Sequence, residues 1–266
     1  MNFVRQLDWD RPEMALPHGY KGKFLYSGED CHVVATLVPP GAKGPPQHKH
    51  LVDQIYVIIS GTITIQLGEQ ERTAGPGDTI FIPAGLPHHN WNDGASDELH
   101  IEVIAPGVLP TQPLGVAAES DGDGGLPWLV RSASAEGPPP EAPGITNAWL
   151  ITRDDKSEHA TIYLSSLEPA TRGPSTRILT HHQLYYVIEG RLSLEIALER
   201  HETTAGTLIS IPPGVPHRFW NAGDELERHV SIVVPSPSVT DDAGAIPVML
   251  TPTEPRTGAR DTRLSV

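Results

Sequence analysis

Apolar and polar positions alternate along much of the chain, in short bursts. Residues 53–68, "DQIYVIISGTITIQLG", carry apolar side chains at every second position on either side of a glycine, and residues 183–196, "QLYYVIEGRLSLEI", do the same. A two-residue period marks a strand with one face turned to a core. The glycine between the bursts reads as a hairpin turn. Residues 77–92, "GDTIFIPAGLPHHNWN", read as a strand, a Pro-Gly turn and a second strand. Long helical periodicity is absent. The 25 glycines and 27 prolines fit many short strands joined by tight turns, so the predicted fold class is all-β.

The chain also repeats itself. An offset of 129 residues lays Gly77 on Gly206, Pro83 on Pro212, Gly85 on Gly214, Pro87 on Pro216 and His88 on His217. The same offset pairs Gln54 with Gln183, Tyr56 with Tyr185, Gly61 with Gly190 and His100 with His229, with no gap from Pro40 to Pro106. A match in one register over that length indicates an internal duplication. It divides the chain into a first β domain at 1–108, a Gly- and Pro-rich linker at 109–146, a second β domain at 147–237 and a tail at 238–266.

Candidate chemistry gathers in the first copy. His48, His50 and Gln54 share parity, so one side of a strand receives all three. His88 follows the Pro-Gly turn and enters from a neighbouring strand. Three imidazoles and an amide oxygen then converge. Imidazole suits Fe, Co, Ni, Cu and Zn, and an amide carbonyl tolerates harder ions such as Mn. The set leaves positions for water or substrate. The competing reading is a His-x-His pair on an exposed strand, a weak metal signal when taken alone. In the second copy Arg177 and Leu179 replace His48 and His50. A site of His181, Gln183 and His217 can be drawn there, but two ligands are missing. The expectation is a second barrel without metal, kept for packing or dimerisation. His182 and His201 read as surface residues, His89 as exposed, and His100 and His229 as a shared structural feature. Cys31, the only cysteine, reads as a small buried residue and allows no disulfide within the chain.

These motifs resemble those of the cupin superfamily, and their duplication resembles a bicupin. The first cupin motif runs Gly-x5-His-x-His-x3or4-Glu-x6-Gly. This chain has His48, His50, Gln54 and Gly61 at those places, with Gly41 one residue too far away. The second motif runs Gly-x5-Pro-x-Gly-x2-His-x3-Asn. Gly77, Pro83, Gly85, His88 and Asn92 fit it throughout, and Gly206, Pro212, Gly214, His217 and Asn221 fit it again. The resemblance implies two tandem cupin-type double-stranded β-helix (jelly-roll) barrels. It also implies about one divalent transition-metal ion per chain, Fe(II), Zn, Mn, Ni or Co, held by His48, His50, Gln54 and His88.

Gln54 departs from that pattern, which has glutamate there. A glutamate ligand removes one charge from the ion and can take a proton from substrate; glutamine does neither. A divalent ion held by four uncharged donors keeps its charge, which favours a bound enolate, carboxylate or catecholate. Another group must then move protons. Tyr56 shares parity with Gln54 and is the candidate, against a packing role suggested by its recurrence as Tyr185. Gln66 and Asn90 are candidates to face the cavity and hydrogen-bond a ligand.

Three functions fit. The first is Lewis-acid catalysis on a small enolisable oxygenated metabolite, of isomerase, cyclase or lyase type. Resemblance to the sugar-acid and polyketide-cyclising cupins that carry glutamine at this place points that way. The second is an O2-dependent, quercetinase-like dioxygenase using non-haem iron. The third is a non-catalytic sugar or effector binder. The first is placed ahead of the others. A net charge of −14 argues against nucleic acid and anionic membrane surfaces as partners. A small-molecule substrate is expected, and a homodimer is open. "MNFVRQLDWDRPEM" has no apolar signal core, and no stretch approaches the ~20 apolar residues of a membrane span. The expected location is cytoplasmic.

Overall fold

The alternating bursts form strands, and the strands close into two tandem double-sheet jelly rolls. The computed structural model describes residues 2–108, 113–118, 122, 124–134, 136–237 and 245–247. In the first barrel a seven-stranded sheet runs Leu129–Ser132, Asp78–Ile82, Asp53–Ser60, Glu98–Ala105, His32–Val38, Lys21–Ser27, Met14–Ala15. It faces a five-stranded sheet in the order Val116–Ala117, His48–Lys49, His88–Trp91, Ile63–Leu67, Gln70–Ala74. The second barrel repeats the plan, with Val4–Gln6, Thr207–Ile211, His182–Glu189, Glu227–Val234, Thr161–Leu167 and Ile145–Ile151 in the larger sheet. Its smaller sheet runs Glu199–Thr204, Arg191–Ile196, His217–Trp220, Arg177–Leu179, Ala245–Pro247. Gly85 and Gly214 take φ of 86° and 81° in equivalent turns, a left-handed conformation that glycine adopts without a Cβ penalty.

Each larger sheet is covered on both faces. On Asp53–Ser60, Tyr56 and Ile58 point into the first barrel beside Ile63, Ile65, Leu67, Ile80 and Ile82. Ile55 and Val57 point the other way, into a core shared with Leu150, Ile162, Leu184, Tyr186, Val230 and Ile232 of the second barrel. Two-sided burial explains the nearly continuous apolar run "IYVII" in that strand. The two barrels therefore share one sheet-on-sheet interface.

Short strands outside the alternating bursts complete the barrels. Val4–Gln6, ahead of the first copy, pairs with Thr207–Ile211 of the second barrel, Arg5 opposite Leu208. Leu129–Ser132, ahead of the second copy, pairs with Asp78–Ile82 of the first, Arg131 opposite Thr79. Leu208 and Thr79 are the same place in the repeat, so the copies exchange leading strands. Val116–Ala117 pairs with His48–Lys49, and Ala245–Pro247 with Arg177–Leu179. Segment 109–146, expected as a linker, thus supplies two strands to the first barrel. Strands of two to four residues are too short for alternation to register, and their value lies in covering sheet edges. The expected tail lies outside the described residues apart from 245–247.

Three histidines differ from expectation. His182 is buried, because the face of its strand opposite Gln183 meets the first barrel and not solvent. Its Nδ1 donates to Asp30, which also accepts from the Tyr26 hydroxyl at 3.1 Å, and its Nε2 lies 2.9 Å from Ser210 Oγ. His201 is half-buried. His89 is half-buried too, with Nδ1 donating to Pro45 O at 2.7 Å. Cys31 is buried, and burial pushes its thiol well above the ordinary range. Among the described residues no helix is long and apolar enough to cross a membrane.

Burial pushes the Asp30 carboxyl up, but the hydrogen bond and charge of His182 outweigh it and hold Asp30 below its ordinary value. A carboxylate lowered on folding stabilises the fold above its unfolded pKa of ~4, and that contribution is lost as pH falls. Asp30→Asn is therefore expected to flatten the loss of stability as pH falls below about 5 in urea titrations. An unchanged pH dependence would contradict this role.

Candidate metal centre

His48–Lys49 is a two-residue strand antiparallel to His88–Trp91, with His48 opposite His88. That register sets their rings side by side, centroids 4.4 Å apart. His50, two residues on, completes the group at 5.0 Å from His48 and 5.2 Å from His88. One ring nitrogen of each histidine lies within 4.8 Å of the others.

The backbone fixes which nitrogen is offered. His48 Nδ1 donates to Pro46 O at 3.0 Å, His88 Nδ1 to Leu86 O at 2.9 Å, and His50 Nδ1 to Leu114 O. A carbonyl only accepts, so each Nδ1 carries its proton and each Nε2 keeps a lone pair. Burial lowers the pKa of all three imidazoles, and their mutual repulsion lowers His48 and His88 further; His88 falls to about 3. Neutral imidazole is the form that binds a metal. His50 Nε2 and His88 Nε2 are buried without a hydrogen-bond partner, as is Gln54 Oε1 in the same barrel. Two buried imidazole lone pairs and an amide oxygen left unpaired, with the half-buried His48 ring beside them, fit a divalent cation.

The other end of the Gln54 amide is occupied. Its Nε2 donates to Glu102 Oε2 at 2.6 Å. Glu102 is buried on Glu98–Ala105 and also accepts from the Thr36 hydroxyl. His100 lies between two acids, Nδ1 bonded to Glu98 at 2.9 Å and Nε2 3.3 Å from Glu102 Oε1. Burial alone would lower the His100 imidazolium, but Glu98 and Glu102 raise it to about 10. Burial would raise Glu102, but His100 and Thr36 bring it to about 2. Sequence reasoning passed over Glu98, Glu102 and Thr36. The available signal was three polar residues of one parity, Glu98, His100 and Glu102, in the otherwise apolar strand "ELHIEVIA".

Tyr56, expected to move protons, has a packing position. Its ring stacks on His100 at a centroid distance of 4.4 Å within the apolar cluster. Burial, then Glu102, pushes the phenol far above its ordinary pKa. Two residues beyond Gln54 on a strand is about 7 Å further along the barrel, enough to take Tyr56 into the core. Asn90 is buried; Gln66 is half-buried, with Nε2 donating to Gly68 O at 3.0 Å.

The second barrel keeps the scaffold and changes the chemistry. His217 Nδ1 donates to Val215 O at 2.9 Å, as His88 does to Leu86. Opposite it in register stands Arg177, with Nε 3.5 Å from His217 Nε2, Nη2 3.2 Å from the Tyr185 hydroxyl, and Nη1 paired with Glu141. A permanent cation therefore lies against His217, where the repeat would place an imidazole. Gln183 turns its Nε2 to Ile232 O at 3.2 Å. Of the set His181, Gln183 and His217 drawn from sequence, His181 and Gln183 line one cavity with Arg177, and Arg177 stands against His217. A cavity of about 270 Å³ lined by Trp149, Tyr163, Arg177 and His181 opens there.

The family profile described as "Cupin domain" matches residues 35–104 and 163–234, more than half the chain. The chain belongs to the cupin superfamily. With one match per barrel, it is a bicupin. A stretch of 94 residues is 34% identical to polyketide synthase CurC of Streptomyces cyaneus, covering 29% of this chain and 61% of that one. Another of 93 residues is 25% identical to auxin-binding protein T85 of Nicotiana tabacum, covering 31% and 49%. The bicupin spans less than two thirds of the length of the curated relatives it matches. Among solved structures, the Mn(II)-containing oxalate decarboxylase of Bacillus subtilis superposes with a TM-score of 0.69 at 15% identity, over 89% of this chain and 78% of that one. AerE of Microcystis aeruginosa does so with 0.65 at 14% identity, over 84% and 96%. At these identities the likeness shows the bicupin fold alone.

Gly115 sits where the strap 113–118 crosses this cupin centre. A Cβ there would lie 3.0 Å from His48 Cδ2 and 3.3 Å from His50 Cε1. Gly115→Val is expected to displace both rings and weaken divalent-metal binding about 10-fold or more in chelator competition, with the thermal melt of the apo-protein little changed. Wild-type affinity in that variant would contradict the assigned ring positions.

Proposed function

We propose that the first barrel is a mononuclear metal centre, and that the protein is an enzyme acting on a small enolisable oxygenated metabolite by isomerase, cyclase or lyase chemistry. The observation that carries this reading is the shared orientation of the three imidazoles: each spends Nδ1 on a backbone carbonyl and presents Nε2. His48, His50 and His88 would hold the ion through Nε2, and Gln54 through Oε1. When bound, a divalent ion supplies Lewis acidity towards a substrate carbonyl or enolate oxygen, undiminished by an anionic ligand. The chain's own residues orient and exclude. The carbonyls of Pro46, Leu86 and Leu114 hold the rings in one tautomer. Ile82, paired with Gln54, and Leu86 belong to an apolar cluster that keeps water from the interior. The fold shared with a Mn(II) oxalate decarboxylase and the similarity to polyketide synthase CurC support metal-assisted chemistry on oxygen-rich substrates.

Elemental analysis of purified protein is expected to give about one divalent ion per chain, lost in His48→Ala and retained in His217→Ala. Two ions per chain, or loss on changing His217, would overturn the single-site reading. The reaction class is tested separately. Incubated in D2O without oxygen, loaded protein is expected to exchange the acidic C–H of β-dicarbonyl and 2-hydroxy-ketone compounds, seen by proton NMR, and His48→Ala is not. Turnover found only with consumption of O2 would replace this reading with a dioxygenase.

A further inference from the structure

The duplication supplies an internal comparison for the first barrel. Thr36, Gln54, His100 and Glu102 correspond by the repeat offset to Ser165, Gln183, His229 and Ser231. The pair of Glu98 and His100 persists as Glu227 and His229, with His229 Nδ1 3.0 Å from Glu227. It is common to both barrels and independent of the histidine pair. Glu102 is not. It is present where His48 and His50 are present, and serine stands in its place where Arg177 and Leu179 stand in theirs. In that second barrel Ser165 Oγ and Ser231 Oγ lie 3.4 Å apart, and the Gln183 amide hydrogens go to the carbonyls of Ile232 and Leu184. Same glutamine, different partner, different amide environment.

The register explains how the contact forms. Ile104 lies opposite Gln54 and Glu102 opposite Tyr56 on adjacent antiparallel strands. Gln54 and Glu102 are therefore diagonal neighbours on the inner face, a separation that long side chains bridge. An amide has two unlike ends, and nothing in its shape chooses between them. Glu102 does choose. Its Oε2 receives the amide at 2.6 Å, and its Oε1 receives the Thr36 hydroxyl, so both oxygens act as acceptors. Only the Nε2 end of Gln54 satisfies Oε2. The Oε1 end is left free in the interior, buried and without a partner.

We infer that Glu102 is the positioning residue of the metal centre, fixing the Gln54 amide so that its oxygen is the end offered with the three imidazoles. The inference rests on the proposed metal site and deepens it. It recasts the glutamine as half of a divided ligand. The family's glutamate combines an oxygen donor and a negative charge in one side chain; here Gln54 supplies the donor, and the carboxylate stands outside the ligand set as Glu102, one hydrogen bond behind it and paired with His100. It also predicts that a glutamate at position 54 costs this barrel stability. Two carboxyl groups at 2.6 Å in a dry site cannot both ionise, so one must take up a proton.

A four-variant cycle tests this, with two readouts on the intact chain. In Glu102→Gln an amide faces an amide, either end of Gln54 can turn inwards, and affinity for Mn(II) or Zn(II) in chelator competition is expected to fall about 10- to 100-fold. In Gln54→Glu the apo-protein is expected to melt at a lower temperature than wild type. The double swap, Gln54→Glu with Glu102→Gln, restores a carboxylate facing an amide. It is expected to recover both the apo melting temperature and metal binding to near wild type, a rescue that a purely structural role for Glu102 would not give to affinity. Wild-type affinity in Glu102→Gln, or a double variant no better than the sum of the two singles in apo melting, would overturn the inference. If wild type itself binds no metal, the proposed function fails, and metal positioning by Glu102 fails with it. The apo melting cycle then still reports separately whether the two side chains are coupled.

Discussion

A buried polar atom without a partner is costly, and three such atoms in the first barrel sit on side chains of the candidate metal centre. His50 Nε2, His88 Nε2 and Gln54 Oε1 are all buried and unpaired. Each unsatisfied group costs about 1–3 kcal/mol, while every other polar end of the same side chains is bonded: Nδ1 of His50 and His88 to backbone carbonyls, Nε2 of Gln54 to Glu102. On these three side chains the vacant lone pairs are what is left once the other polar end is bonded, and all three are of one kind. They are acceptors. Only a donor or a cation satisfies them, and imidazoles whose pKa values burial has lowered will not protonate near neutrality to do so. The chemistry of the first barrel follows from that constraint.

The second barrel shows the alternative solution to the same problem. It keeps the Pro-Gly turn, the histidine with its Nδ1 on a backbone carbonyl, and the glutamine, and it sets the Arg177 guanidinium against the Nε2 of that histidine. Arg177 is in turn balanced by Glu141 from the segment that crosses towards the second copy. One scaffold therefore offers a place for an external cation in one copy and holds a covalently attached cation in the other. The exchange of leading strands and the shared apolar interface tie the two barrels together, so the second copy supports the first through packing.

Much of this was legible in the sequence, because the legible parts depend on period and spacing. The two-residue alternation gave the strands, the offset of 129 gave the two barrels, and the spacing of His48, His50 and His88 gave three side chains that the structure brings together. What stayed hidden depends on contacts between distant segments. Glu102 reads as one more charge on a strand until the register of two neighbouring strands sets it beside Gln54. His182 reads as exposed until the outer face of its strand is found against Asp30 of the other barrel. Tyr56 shares parity with Gln54, but parity does not report depth, and depth is what makes it a packing residue. The short strands Val4–Gln6 and Leu129–Ser132 are invisible to any periodicity, although they hold the copies together.

Anomalous X-ray diffraction from crystals loaded with Mn(II) or Zn(II) tests the central claim most directly. The account predicts one anomalous peak per chain, in the first barrel, in contact with Nε2 of His48, His50 and His88 and with Oε1 of Gln54, the Gln54 amide nitrogen still on Glu102. A peak beside His217, or a metal in the first barrel with Gln54 turned away and Glu102 in its place as ligand, would contradict it.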